Sequence, residues 1–341
     1  MSVLPSFAIR LHGGMDSRDC AAYAKNAEQY GFKTVWFAEN PFQRGVLPAA
    51  TACVLATNTI QVGIGVFNPF NRHPTLMAME IGALNELSGG RALLGIGAGV
   101  PETINKFASF RRIEPAMRDT LSIVCPLLKG EEVNYSGEIF SAIDVSLGYP
   151  LLKPEVKVFV AAMGKKMLRL CGEMGDGLLI SNMCPPAFTE FGIGIIGEGA
   201  EKMKRPAPKE VVKYVPCVVD ADRVAARRAV KEPIGSMLGG YWKAYQNAPA
   251  ALSAIGADNG IDPQEFLQAL ERLGNDEAAV DVLDEKFVRA YSVAGTVDQC
   301  LQQCAELAET GVTEMTLTFH GSNPHTSMAD FGAAASNYFD V

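Results

Sequence analysis

The sequence predicts an α/β chain closed as a (β/α)₈ TIM barrel with insertions, one of them a mostly helical stretch before the last βα unit. Two observations carry this prediction. Short runs rich in β-branched and aromatic residues alternate with longer segments of helical period, and eight such strand–helix pairs can be counted along 341 residues. The length decides nothing against a single barrel domain over 1–341, because barrels with insertions run this long.

In order, a strand over 7–11 precedes a helix over 16–30, with Asp16 or Ser17 as its cap and Gly31 as a left-handed stop. Strands over 34–38, 61–66 and 92–96 alternate with helices over 48–56, 76–86 and 117–128. The turn Ser88-Gly89-Gly90 feeds the fourth strand. A small β-excursion follows around Ser136-Gly137, within an insertion at about 131–150. Strand 157–161, helix 165–174 and strand 177–180 come next, then a second insertion at about 183–210 and a seventh strand over 213–219. The third insertion, about 221–291, is helical in pattern. Helix 298–310, strand 314–318 and helix 327–338 close the ring. An open, doubly wound sheet would want G-x-G-x-x-G after its first strand. His12-Gly13-Gly14-Met15-Asp16 lacks it, and Gly95-Ile96-Gly97-Ala98-Gly99 begins within a strand, so the barrel is preferred.

The formal net charge of −8 comes with scattered rather than clustered Lys and Arg, so no nucleic-acid partner is expected. No apolar stretch approaches the roughly 20 residues of a membrane span, and the start of the chain shows no secretory pattern. Eight dispersed cysteines, most in apolar runs, read as free buried thiols in a reducing cytoplasm. Cys300 and Cys304 share a helix face without an accompanying His pair, so no metal site is predicted.

Barrels keep their sites at the C-terminal strand ends, so candidates can be named before any function is assumed. Arg10 and His12 follow the first strand, and Glu39 and Asn40 the second; these four are the catalytic candidates. The run Gly63-Ile64-Gly65-Val66-Phe67-Asn68-Pro69 places glycines inside a strand, where a bulge lets a flat ring approach the backbone; Gly65, Val66 and Asn68 are its contacts. Gly97 and Ala98 end the fourth strand. Ala162-Met163-Gly164-Lys165-Lys166-Met167 joins a strand to a helix, where free N–H groups and two lysines suit a phosphate, though an ordinary turn would read alike. His320 ends the eighth strand, and His73 before Pro74 reads as a cap.

Three of these stretches, 63–74, 84–99 and 160–167, together with Ala294-Gly295-Thr296-Val297-Asp298, give the chain a resemblance to the bacterial luciferase-like flavin and deazaflavin oxidoreductases. Within them it is similar to the methylenetetrahydromethanopterin reductase branch. The resemblance implies a homodimeric barrel using coenzyme F420, or alternatively FMN. It also implies a non-prolyl cis peptide at Gly65–Val66 beneath the ring and a cofactor phosphate on Gly164–Met167. Two positions depart from the branch: Arg10 stands where the first strand carries a Glu, and Val100 replaces an acid; Asn40 stands where the wider superfamily typically has a His. The expected activity is therefore hydride transfer between F420 and a small organic substrate other than methylenetetrahydromethanopterin. Arg10 would either bind an anionic group of that substrate or pair with Glu39. Lys165, Lys166 and Arg72 would meet the acidic cofactor tail. An FMN-dependent monooxygenase and a non-catalytic flavin-binding protein are the alternatives.

Overall fold

The computed structural model describes residues 4–152, 155–245, 249–256 and 258–339. Its strands in chain order are β1 (Ser6–His12), β2 (Thr34–Ala38), β3 (Gln61–Phe67), β4 (Ala92–Ile96), β5 (Val133–Ser136), β6 (Ser141–Val145), β7 (Val158–Ala161), β8 (Gly177–Ile180), β9 (Glu210–Val219), β10 (Val293–Gly295) and β11 (Glu314–Phe319). Eight of them pair in parallel in the order β1-β2-β3-β4-β7-β8-β9-β11, and β11 pairs back onto β1, so the ring is closed. The expected barrel is observed. β5 and β6 form an antiparallel hairpin, as expected of 131–150, and Asp119 anchors it by accepting from Tyr135 Oη and from the amides of Ile139 and Phe140.

Local signals explain why the elements start and stop. Asp16 caps helix Ser17–Gln29 by accepting from the Arg18 amide, and Gly31 lies at φ 84°, the left-handed stop predicted for it. His73 caps helix Pro74–Ser88, accepting from the Thr75 amide. Arg91, after the Ser88–Gly90 turn, donates to the carbonyls of Val54, Thr57, Ile60 and Ser88, tying three βα units together at the lower rim.

Two features differ from the sequence reading. The stretch 183–210, read as an insertion, carries helix Pro186–Lys202, which packs against helix Lys165–Met174 as the outer helix that follows β8. Its glycines weaken the helical pattern, yet Gly199 is where the two backbones touch: a Cβ there would lie 2.2 Å from the Arg169 carbonyl oxygen, and one on Gly172 2.0 Å from that of Ile196. The three-residue strand β10 was not anticipated; it pairs with β9 beside the barrel.

Packing falls into three regions. Between strands and outer helices lies the main core, which holds seven of the cysteines as buried free thiols; Cys125 is half-buried. The described residues of 221–291 are mostly helical, as predicted, and build their own cluster around Ile234, Leu238, Phe266 and Phe287. The barrel lumen is filled by Ala8, Trp36, Leu93, Phe159, Leu179, Val212 and Tyr214. Trp36 meets Phe159 edge-on at 5.3 Å although their strands are not neighbours, so the contact crosses the lumen. Below it, the half-buried Glu314 carboxylate accepts from Thr34 Oγ1 (2.6 Å) and Trp36 Nε1 (2.7 Å). No helix among the described residues is long and apolar enough to cross a membrane.

Candidate active site

The upper end of the lumen opens where β3 bulges. Pairing of β3 with β4 shifts register between Gly65 and Phe67, and the Gly65–Val66 peptide is cis, at the expected position. Gly65 has no room for a side chain: its Cβ would lie 2.0 Å from Tyr214 Oη, 3.0 Å from Trp36 and 3.1 Å from Leu179. Tyr214 Oη is placed 3.4 Å from the Gly65 carbonyl oxygen, which it faces as donor. Gly97 is similarly confined, by Val66 at 3.0 Å and Ala161 at 3.1 Å. The result is a shallow platform of backbone and small side chains on β3, β4 and β7, facing the mouth.

Opposite the platform stands a group of polar side chains lacking partners. Arg10 projects from β1 over the Tyr214 ring, its guanidinium carbon 5.5 Å from the centroid. Its Nε is sealed from solvent and unbonded, as are Thr316 Oγ1, Thr318 Oγ1, Asn182 Oδ1 and His320 Nε2. A buried polar atom left unpaired costs about 1–3 kcal/mol, so five at one end of a barrel mark a place built for something other than stability. Ring contact offsets little of the desolvation of Arg10, since cation–π pairs contribute about 0.5–2 kcal/mol. Burial pulls the Arg10 pKa downward, and the Tyr214 and Tyr241 hydroxyls work against that; arginine nonetheless stays protonated in proteins.

His12, half-buried, accepts the Gly14 amide through Nδ1 at 3.1 Å, which leaves Nε2 to carry the proton of the neutral ring. Burial, and then the Arg10 charge, hold His12 below its ordinary value of 6.5. The same two causes, with His12 as a third, lower His320. The unfolded chain therefore binds protons at these positions where the folded chain does not. The stability they confer is complete above pH 6.5 and is lost as pH falls from there toward the lowered values. Urea denaturation should show stability declining from pH 7 through the region below 6.5, and His320→Asn should make that decline shallower. Identical slopes would remove His320 from this account.

Glu39 does not pair with Arg10, the partnership left open by the sequence. It binds Arg72 at 2.8 Å, and Arg72 also binds Glu80 at 2.6 Å while its guanidinium carbon lies 4.2 Å from the Phe67 centroid. Arg72 is thus held by two carboxylates and a ring, and it is not available to a cofactor tail. Asn40 bonds Gln43 in the 39–45 loop, beside a cleft of about 260 Å³ that Phe42 and Phe107 help to line. Asn68 spends its Oδ1 on the amides of Phe70 and Asn71, so it shapes the loop after the bulge. Ala98 sits half-buried beyond β4, and Val100 is exposed.

Helix Lys165–Met174 begins at Gly164 with no side-chain cap, leaving the first-turn amides open. Ala162 is buried and Met163 and Met167 are half-buried behind it. Lys165 and Lys166 are exposed, with Lys165 Nζ 5.6 Å from the Phe191 centroid. Tyr241, from helix Lys231–Tyr245, closes the other side; its hydroxyl pairs with Ser181 Oγ at 2.9 Å and donates to the Asn182 carbonyl at 3.2 Å. Tyr214 and Tyr241 were absent from the sequence candidates. Period-two alternation along β9, with Val212 facing inward, could have found the first; nothing local marks the second. A further cavity of about 400 Å³ lies at the opposite end of the barrel, lined by Phe7, Tyr30, Phe32 and Phe331, and holds none of these groups. No group of three or more His, Cys, Asp or Glu among the described residues is placed to hold a metal.

The closed barrel, the bulged third strand and the open helix start form one site at the barrel mouth, and the chain's relatives are named as oxidoreductases. The chain belongs to the luciferase-like monooxygenase family, whose model matches residues 1–314. It is 31% identical over 313 residues, 91% of this chain and 92% of the other, to a 5,10-methylenetetrahydromethanopterin reductase of Archaeoglobus fulgidus. It is 26% identical over 325 residues, 89% and 88% of the two chains, to an F420-dependent glucose-6-phosphate dehydrogenase of Amycolatopsis mediterranei. The coenzyme F420-dependent tetrahydromethanopterin reductase of Methanopyrus kandleri shares the fold, with a TM-score of 0.85, 24% identity, and 99% and 100% coverage.

Proposed function

We propose that this protein binds coenzyme F420 against the β3 bulge and catalyses hydride transfer between it and a small organic substrate other than methylenetetrahydromethanopterin. The observation that carries the reading is the space above Gly65 and Gly97, where glycines keep the wall flat and polar atoms across the lumen stand unpaired. The names of the relatives support F420 as the cofactor. When bound, the deazaflavin supplies a two-electron hydride chemistry that no side chain here can provide.

The chain's own residues bind and orient. The platform of Gly65, Val66, Gly97 and Ala161 would carry the ring, and Tyr214 would brace it from below by fixing the Gly65 carbonyl. Open amides at Gly164–Met167 would hold a phosphate, with the lysines drawing in further negative charge. Neutral His12, with its proton on Nε2, is a group able to give a proton to a substrate oxygen near the ring. The Arg10 cation, where the reductase branch has an acid, is unsuited to methylenetetrahydromethanopterin in that branch's manner.

Fluorescence titration with F420 and, separately, with FMN tests this. F420 should bind, and Lys165→Ala with Lys166→Ala should weaken it about tenfold, less at high salt, as expected of exposed charges. Tighter binding of FMN, with oxygen consumed by the reduced complex, would instead support the monooxygenase reading. Binding of neither would end both.

A further inference from the structure

Among the described residues, Arg10 is a cation of the upper lumen with no carboxylate in ion-pair contact. Arg10 forms no ion pair, and the carboxylates that could have reached it are committed elsewhere: Glu39 to Arg72, and Glu314 to Thr34 and Trp36 below. The β1–β11 ladder pairs Ala8 with Thr316 and ends at Ile9 with Leu317; Arg10 and Thr318 are the next residue on each strand. An unbonded hydroxyl therefore flanks an unbonded guanidinium. His320, whose Nε2 also lacks a partner, lies close enough for the Arg10 charge to disfavour its protonation.

We propose that the substrate of this site carries a carboxylate and that Arg10 binds it, with Thr318 and His320 as neighbouring hydrogen-bonding groups. The proposal rests on the cofactor reading above and names its substrate class: small organic acids. A planar guanidinium presents two parallel N–H donors that match a carboxylate. A phosphate dianion would call for a second cation, and among the described residues none is free to serve: Arg72 is held by two acids, Lys213 donates to the Cys184 carbonyl, and Lys165 and Lys166 lie at the helix start outside. Both histidines are held neutral by their surroundings. One unit of positive charge in a desolvated wall selects one carboxylate.

The test uses propionate as a singly charged probe and propionamide as its uncharged counterpart, followed by calorimetry and thermal unfolding with and without F420. Propionate should bind saturably and propionamide should not. Arg10→Met should weaken propionate by about ten- to a hundredfold, the range for a charge-assisted contact, and Arg10→Lys should fall between, because an ammonium lacks the fork. The Lys165→Ala, Lys166→Ala protein should retain propionate binding, which separates the lumen from the helix start. F420 affinity of Arg10→Met should stay within a factor of about three, as Arg10 lies across from the platform. Arg10→Met should also unfold at the same temperature as the parent or higher, since it removes an unpaired, half-buried cation. A propionate effect that survives Arg10→Met, that disappears only with the lysines, or that never saturates would overturn the proposal. Loss of F420 affinity in Arg10→Met would do the same by assigning Arg10 to the cofactor. Failure of the parent protein to bind F420 would count against the cofactor reading alone, because propionate binding is read without it.

Discussion

Gly65→Val is expected to eliminate cofactor binding and to destabilise the barrel by about 3 kcal/mol, at the upper end of ordinary overpacking. The Cβ would stand 2.0 Å from Tyr214 Oη, and neither Tyr214 nor the nearby Trp36 has space to withdraw, both being buried in the lumen. Urea denaturation and cofactor titration would measure the two losses. A companion pair isolates the cause. Gly65→Ala alone should be destabilised, whereas Gly65→Ala with Tyr214→Phe removes the hydroxyl and leaves contacts at 3.0 and 3.1 Å that small shifts can absorb. The coupling between the two substitutions should therefore be favourable. A Gly65→Ala protein as stable as the parent would show that the lumen yields at this point.

Arg72→Met carries the second large effect. It strands Glu39, whose side chain is only 8% exposed, next to Glu80 with no cation between them. Breaking a buried pair from one side costs about 3–5 kcal/mol, and partial exposure of Glu80 places this case near the lower figure. Burial already raises the Glu80 pKa despite Arg72, and without the cation that carboxyl would take up a proton more readily in the folded state. Its folded value stays above the unfolded one, so the deficit should be largest at neutral pH and should shrink as pH falls toward the carboxylate range. Thermal unfolding at pH 7.5 and pH 5, each compared with the parent, would show whether it does. Equal deficits at both would mean that lost packing over Phe67, rather than charge, dominates.

How far the sequence foretells this molecule varies with the kind of signal. β2, β4 and β8 are unbroken apolar runs flanked by turn residues, and their limits match the sequence reading. Helix Lys165–Met174 matches as well, its amphipathic period being strong. Helix Pro186–Lys202 was hidden because four glycines depress helical propensity, and the contact that explains Gly199 involves a residue 30 positions away in sequence, Arg169. In the site, the cis peptide at Gly65–Val66 was legible from the glycine-rich motif and its resemblance. The partner of Glu39 was not, since Arg10 and Arg72 are equally plausible cations until the loops are placed. Tyr241 illustrates the same limit: it reaches Ser181 only through the helical cluster of 221–291, whose docking follows from packing rather than from local pattern.

The Glu314–Trp36–Thr34 arrangement at the foot of the barrel has a consequence for traffic. With Trp36, Phe159, Leu93 and Leu179 stacked above it, the interior is a cul-de-sac. Whatever reaches the bulge must arrive and depart through the same upper doorway, past Tyr241 on one flank and the Gly164 helix start on the other.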